Sequence, residues 1–516
     1  MASAKTTSPR APLDRLSQLE DGVLGHILSF LPTKEAARAA TIAKRYRHAF
    51  AGVDIVSFVE QVAYYGGEDY TFCLEATERR SKNGDLIDSV NGALLCRRRC
   101  AGNAAPPRVF RVHFGCLDEW DEAMLGQWLS YLLQRGRKQQ ALHLDLRLQL
   151  TVLGEHHVGG QEQQRWGADD GECPAHSRYE AHRYKLPTRL FSCVALRTLC
   201  LGGCSLLCPP ERVDLPLLET LLLSSIPWAD SIQRLVSRCP RLVDLTLERC
   251  GYTPSSQRGY GGYEANNVDR SYTIAVVDKH LRRLAIRCCH NLARVSVDAS
   301  ELTAFEYRGA VPAGSFLTLH GACKISSCTV GFCGRMVYEA ELPRFRKFLE
   351  QFAGTKKLHL VSTHLGADIE SDAFTSFPSL VSLRLTGYLH RGSIEALTRI
   401  LQQAPSVEIL TLFMKARSQE RSHSVSWEHQ WHELGDEVGV SDVRIPCLRN
   451  GVREMNLVHY QGHEAQRYAA RLLLCNAMVL ERVCVVMPRG PRELQMKLAN
   501  EIKGWLVDSS TEMIFF

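Results

Sequence analysis

Apolar side chains recur at helical spacing near the start of this chain and at strand spacing from about residue 105 onward. Leu24, Ile27, Leu28 and Leu31 stand at i, i+3, i+4 and i+7, positions that share one face of an α-helix. Pro32 ends that helix, because proline disfavours helical geometry in the residue before it and supplies no N–H. Thr33 is placed to cap a second helix, with Glu35 near its positive end. The pattern predicts two or three short helices that carry more apolar side chains than so small a unit can bury alone.

Further along, the order L-x-x-L-x-L-x-x-C appears as Leu196, Leu199, Leu201 and Cys204, and again as Leu242, Leu245, Leu247 and Cys250. Leu218, Leu221, Leu223 and Ile226 lie between them, so the starts are 22 and 24 residues apart, a leucine-rich-repeat period. Each unit is expected to form one short strand with its leucines inward and to turn at a small buried residue, which makes Cys204 and Cys250 core residues. Looser copies follow at Leu281/Leu284/Ile286/Cys289, Leu292/Val295/Val297, Leu302/Phe305/Tyr307, Leu380/Leu383/Leu385 and Val407/Leu410/Leu412. Val452/Met455/Leu457 and Leu480/Val483/Val485 continue the pattern, and Val109/Val112/Phe114 and Leu142/Leu144 are early turns. Starts as close as ten residues between 281 and 302 predict that some turns lack a helix on the convex side. Such arrays bury their cores only by stacking neighbours, and are curved and non-enzymatic by default.

Three polar stretches, roughly 153–182, 251–272 and 416–442, read as loops inserted in the array. Apolar content of 45% and charged content of 23% suit a globular chain of several domains or one long array. The net charge of +6 is uneven: residues 1–50 hold eight Lys/Arg against four Asp/Glu, leaving +2 for all the rest. That balance offers no concentrated basic stripe for nucleic acid, and Arg97-Arg98-Arg99 reads as solvated. No stretch approaches the roughly 20 apolar residues that span a bilayer. The start "MASAKTTSPRAP" lacks the apolar run of a signal peptide. The expectation is an intracellular protein, nuclear or cytoplasmic and not secreted, with 19 mostly reduced cysteines.

Candidate chemistry is sparse. No GxSxG elbow, HExxH helix or GxxxxGK[ST] loop occurs, so no enzyme and no cofactor are expected. Cys200/Cys204/Cys208 and the group His156, His157, Cys173 and His176 are the nearest approaches to zinc spacing, and the repeat explains the first better. No metal site is therefore assigned. If the strands starting at 283, 294 and 304 are taken as successive neighbours, Arg283, Arg294 and Ala304 form one row. Ala285, Ser296 and Glu306 form the next, and Arg287, Asp298 and Arg308 the third. Neighbouring arginines invite an anionic ligand such as a phosphorylated partner. Alternating cross-strand charges, Arg287–Asp298–Arg308 and Glu306 diagonal to Arg294, explain them better and need no ligand.

The segment "DRLSQLEDGVLGHILSFLPTKEAARAATIAKRYRHAF" at Asp14–Phe50 resembles a plant F-box. The segment "IPCLRNGVREMNLVHYQGHEAQRYAARLLLCNAMVLERVCVVM" is similar to the FBD module that closes many F-box/leucine-rich-repeat proteins of plants. The resemblance covers nearly the whole chain and implies an α/β fold: a small all-α F-box followed by a curved leucine-rich-repeat solenoid with parallel strands. The boundaries expected are a disordered tail at 1–11, the F-box at 12–52, a connecting segment at 53–104, the array at 105–440 and FBD-like terminal repeats at 441–516.

The family resemblance further implies docking on a small acidic Skp adaptor and, through it, on a cullin, while the repeats hold an unknown protein substrate for ubiquitin transfer by other subunits. The docking side chains expected are Leu16, Leu19, Leu24, Ile27, Leu28, Leu31, Pro32, Ile42 and Tyr46, with Lys44-Arg45-Tyr46-Arg47 steering toward an acidic partner. Three departures stand out. Glu20 occupies the place of the family's proline, and Tyr46 and Phe50 replace its tryptophans. Alternatively, these helices cap the chain's own array, or the protein is an interaction scaffold with a vestigial F-box and no role in degradation. The strand face lacks large aromatic anchors, whereas the loops hold Trp166, Tyr260, Tyr263, Trp427 and Trp431 as substrate-gripping candidates; the alternative is that these loops are disordered insertions whose aromatics are incidental.

Overall fold

The computed structural model describes residues 18–59, 76–100, 106–114, 122–133, 141–148, 184–206, 213–227, 230–250, 272–289, 291–321, 324–332, 341–364, 375–389, 391–415 and 445–516. The three inserted stretches near 153–182, 251–272 and 416–442 lie almost wholly outside these residues, as do Leu16, Cys208 and the loop aromatics. The chain divides into two compact units.

The first unit begins with three short helices, α1 (Asp21–Ser29), α2 (Thr33–Ile42) and α3 (Lys44–Ala51), and runs straight into strand β1 (Ile55–Val59). Helix α4 (Ala76–Cys100), β2 (Val109–Phe114), α5 (Glu122–Leu133), β3 (Leu142–Leu148), a 3-10 turn at Thr188–Ser192 and β4 (Leu196–Gly202) follow. The four strands are parallel in the order β1-β2-β3-β4. The stretch expected to be a plain connection, 53–104, holds a strand and a 25-residue helix that form the first turn of this ladder. Its apolar signal is short: Ile55, Val56, Phe58 and Val59 are enough for a strand because Val56 and Phe58 are buried. The aromatic pair Phe110 and Phe114 on β2 closes on Trp128 of α5, with ring centroids 6.2 and 6.1 Å away.

The second unit continues with β5 (Thr220–Ser224), α6 (Asp230–Ser237), β6 (Asp244–Glu248), β7 (Tyr272–Val277), β8 (Arg283–Arg287), β9 (Leu292–Asp298), β10 (Ala304–Gly309), β11 (Leu317–His320) and β12 (Ser327–Phe332). Then come α7 (Leu342–Glu350), β13 (Lys357–His364), β14 (Ser382–Tyr388), α8 (Arg391–Gln402), β15 (Ile409–Met414), α9 (Pro446–Asn450), β16 (Glu454–Val458), α10 (Glu464–Asn476), β17 (Arg482–Val486), α11 (Arg492–Gly504) and β18 (Glu512–Phe515). The principal sheet of this unit is parallel and runs β5-β6-β8-β10-β12-β13-β14-β15-β16-β17-β18. Its core is two files of side chains. Leu245, Leu284, Phe305, Cys328, Leu358, Leu383, Leu410, Met455 and Val483 occupy matching positions in neighbouring strands, and none is more than 2% exposed. The fold is thus mixed α/β, built of stacked parallel repeats with helices at its N-terminus.

One expectation is corrected here. The strand at Leu292/Val295/Val297 is not a member of the principal sheet. β8 pairs directly with β10, joining Arg283 to Ala304 and Arg287 to Arg308. β9 instead belongs to a second parallel sheet, in the order β11-β9-β7. The starts ten residues apart are therefore the two sides of one turn. Chain length explains the choice: a strand advances about 3.3 Å per residue and a helix about 1.5 Å, so a short return must be extended.

The cysteines at the repeat turns are core residues. Cys204 and Cys250 are 0% and 2% exposed, and their thiols donate to backbone carbonyls, Cys204 to Gly202 and Cys250 to Leu223, both at 3.3 Å. Cys200 is buried as well, and burial is the main reason its thiol is pushed up to about 11. Among the described residues no helix is long and apolar enough to cross a membrane.

Candidate functional site

Helices α1 and α3 pack at the distance set by Gly25. A Cβ there would lie 3.0 Å from the carbonyl oxygen of Ala49, so any larger residue would push the two helices apart. Arg45 ties them together from outside, donating to Asp21 Oδ1 at 2.9 Å and to the carbonyl of half-buried Leu19. This arginine, expected to steer a partner, is already committed within the unit. Thr33 is likewise not a cap. Pro32 takes the cap position of α2, and the buried Thr33 hydroxyl accepts the N–H of Ser57, fastening α2 to β1 at 2.8 Å.

The helical face read from the sequence divides in two. Leu24 and Leu28, at 3% and 5% exposure, fill the interior of the unit. Ile27, Leu31 and Ile42 face solvent at 39%, 42% and 77%, and Pro32 is exposed beside them. Tyr46 is half-buried. The division follows from geometry, because Ile27 is rotated about 60° from Leu24 and 100° from Leu28 around the helix. Leu31 lies beyond the end of α1, where the helical wheel no longer applies. Two further exposed apolar side chains, Val23 and Phe30, were not singled out by periodicity. Phe30 is the C-cap residue of α1 and stands 76% exposed.

Val23, Ile27, Phe30, Leu31 and Ile42 make up five of the fourteen exposed large apolar side chains among the described residues. All five fall between residues 23 and 42. Scattered surface hydrophobics need no explanation, but five within twenty residues call for one.

A second feature lies on the polar face of the principal sheet in the second unit. Glu306 on β10 receives Arg287 from β8 through two hydrogen bonds of 2.8 Å, pairs with Arg308 at 2.9 Å, and takes a longer bond from Arg283 at 3.5 Å. Burial works against ionisation of this carboxyl. The hydrogen bonds of Arg287 and the charges of Arg287, Arg308 and Arg283 outweigh it and hold the carboxyl below its ordinary range. The same row continues through Thr329 and His359 to Arg384. His359 bonds Thr386 at 2.9 Å; burial first, then Arg384 and Arg308, push it down to about 4. Arg294, Ser296 and Asp298, expected in this cluster, belong to β9 and the other sheet, whereas His359 and Arg384 take part unforeseen.

Comparison with known proteins follows the same outline. A family model described as FBD-associated F-box protein At5g56370, LRR repeats, matches residues 173–304. F-box/LRR-repeat protein At2g42730 of Arabidopsis thaliana is 24% identical over 509 residues, covering 94% of this chain and 94% of that protein. The chain is thus similar to plant F-box/leucine-rich-repeat proteins over nearly its whole length. F-box/FBD/LRR-repeat protein At4g26340 of the same plant is 22% identical over 478 residues, 91% of each chain. F-box/LRR-repeat protein At3g58880, also from Arabidopsis, is more similar over a shorter stretch, 31% across 239 residues. That match covers 46% of this chain and 42% of the relative, and the alignment with F-box/LRR-repeat protein At3g58980 covers 41% of its length. The chain thus spans less than half the length of these two curated relatives.

Proposed function

We propose that this F-box/leucine-rich-repeat protein is the substrate-recognition subunit of a Skp–cullin–F-box ubiquitin ligase. The helical unit docks on the Skp adaptor and the repeats, with their inserted loops, select the protein to be modified. The observation that carries the reading is the concentration of exposed apolar side chains at Val23, Ile27, Phe30, Leu31 and Ile42. Fully covering a side chain of this size supplies about 1.5–3 kcal/mol, and the costs of association consume much of the sum. The protein itself is a non-catalytic adaptor in this reading, and ubiquitin transfer belongs to other subunits.

The test is co-purification with a Skp adaptor. Ile27→Asp and Ile42→Asp each put a charge on the exposed surface without touching the interior filled by Leu24 and Leu28. Both are expected to abolish co-purification while thermal unfolding stays unchanged. Normal co-purification of both variants would sink the docking proposal.

Glu20 favours a second reading, an interaction scaffold whose F-box no longer binds strongly, because a charged residue replaces a rigid apolar contact there. Wild-type protein that fails to retain the adaptor while binding other proteins through its repeats would select it. The loop aromatics Trp166, Tyr260, Tyr263, Trp427 and Trp431 remain candidates for gripping the substrate. Proximity labelling with versions lacking 251–272 or 416–442 checks them: a loss of partners is expected, and an unchanged set would exclude both loops.

A further inference from the structure

Helix α2 ends on an exposed threonine next to the docking face. Thr41 is the last residue but one of α2, its side chain faces solvent, and its hydroxyl donates to the carbonyl of Arg38 at 2.7 Å. Ile42, the following residue, is 77% exposed, the most open of the five apolar side chains on that face. Arg38 is exposed as well. Arginine three residues before a hydroxyl is a charge pattern selected by protein kinases whose substrate groove is lined with carboxylates.

The same spacing occurs twice more among the described residues, at Arg189–Ser192 and Arg234–Ser237, and both serines are exposed. The residues in between differ. A kinase takes its substrate as an extended segment, so these residues must leave their places in the fold. At Ser192 they are Leu190 and Phe191, and at Ser237 Leu235 and Val236, none more than 6% exposed. At Thr41 they are Ala39 and Ala40, and only Ala40 is buried. Exposing a methyl group costs far less than exposing a leucine or a phenylalanine. Thr41 and Ile42 are both β-branched, which lowers their helix preference, and the chain leaves helical geometry at Ala43 with φ −145° and ψ 149°. The end of α2 is thus the easiest of the three to unwind.

We propose that Thr41 is a phosphorylation site that switches off docking through the helical unit. The proposal rests on the reading of this unit as the docking surface. The γ-phosphoryl group of ATP passes to Thr41 Oγ1 as its bond to ADP breaks, and the hydroxyl proton leaves to the base of the kinase. The product carries close to two negative charges at the carboxyl end of α2. The helix dipole is negative there, so the charge disfavours the turn that holds Ile42. Pairing with Arg38, three residues back on the helix, offsets only part of it. The remainder stands next to Ile42, where a covering partner would have to strip it of water.

The full chain is incubated with ATP and the catalytic subunit of cyclic-AMP-dependent protein kinase, alongside a peptide of residues 35–46 as an unfolded control. Mass-spectrometric mapping of the chain is expected to find phosphate on Thr41 and none on Ser192 or Ser237, and Arg38→Ala to slow the transfer at least about tenfold. Adaptor retention by the phosphorylated chain is expected to fall at least about tenfold against mock-treated protein. Thr41→Ala is expected to retain the adaptor with or without the kinase, which separates Thr41 from any other residue modified. An unmodified Thr41 in the folded chain overturns the site, whether or not the peptide reacts. Phosphate on Thr41 with undiminished adaptor retention overturns the switch. Untreated protein that fails to retain the adaptor overturns the docking reading and the switch with it, whereas the phosphate map tests the site alone.

Discussion

The side-chain amide of Gln233 closes a ring with the backbone of Ala275. Its Nε2 donates to the Ala275 carbonyl and its Oε1 accepts the Ala275 N–H, both at 2.9 Å. A helix side chain thus stands where a further strand would pair, on the open edge of β7 in the small sheet. Exposed strand edges invite pairing with other chains, and this contact occupies one such position. Gln233→Ala is expected to lower stability by about 1–2 kcal/mol, two hydrogen bonds at their usual net worth. Urea unfolding measures it, and an unchanged midpoint would show that water replaces the amide without cost.

Leu245 is fully buried between Leu221 and Leu284 on the flanking strands. Leu245→Ala is expected to cost about 2–5 kcal/mol, the transfer loss plus the cavity left behind. Guanidinium unfolding is the measurement. A smaller shift would mean that the two files of side chains collapse around the gap.

Glu20 has φ −64° and ψ 149°, a backbone conformation that proline adopts without strain. Its carbonyl accepts the N–H of Leu24 at 2.9 Å, a bond that proline retains. Glu20→Pro is expected to stabilise the helical unit by about 0.4–1 kcal/mol through the unfolded chain. Adaptor retention should hold or improve. A clear loss in pull-down would show that the Glu20 side chain makes a contact with the adaptor.

The acid limb of stability contains two opposite shifts on the sheet face. His359, faced by Arg384, Arg308 and Glu306, is pushed down to about 4 from an ordinary 6.5. Between those values the unfolded chain binds the extra proton, so the contribution is full above about 6.5 and is lost as pH falls toward 4. Glu306 titrates below its ordinary 4.5, so its contribution is present above that value and disappears on further acidification. His359→Gln should therefore flatten the decline between about pH 6.5 and 4.5 and leave the steeper fall below it. Superimposable stability profiles for the two proteins would exclude His359 as the source.

Much of this molecule is legible along the chain. The leucine files at Leu196/Leu199/Leu201, Leu218/Leu221/Leu223 and Leu242/Leu245/Leu247 specify strands because alternate side chains must enter one core, and their period specifies stacking of like on like. The helical spacing at Leu24, Ile27 and Leu28 likewise specifies a short helix. Local pattern cannot say which strand neighbours which, because β9 carries the same apolar alternation as β8 and β10. Only the length of chain available for the return sends it to the second sheet. That decision sets Arg287 beside Arg308 and puts Glu306 in the row with His359 and Arg384. Nor does periodicity divide a helix face between interior and surface. Leu24 and Leu28 turn inward, and Ile27 outward, only because α3 approaches at Gly25 and covers one side of α1, an arrangement that exists only once the three helices have packed.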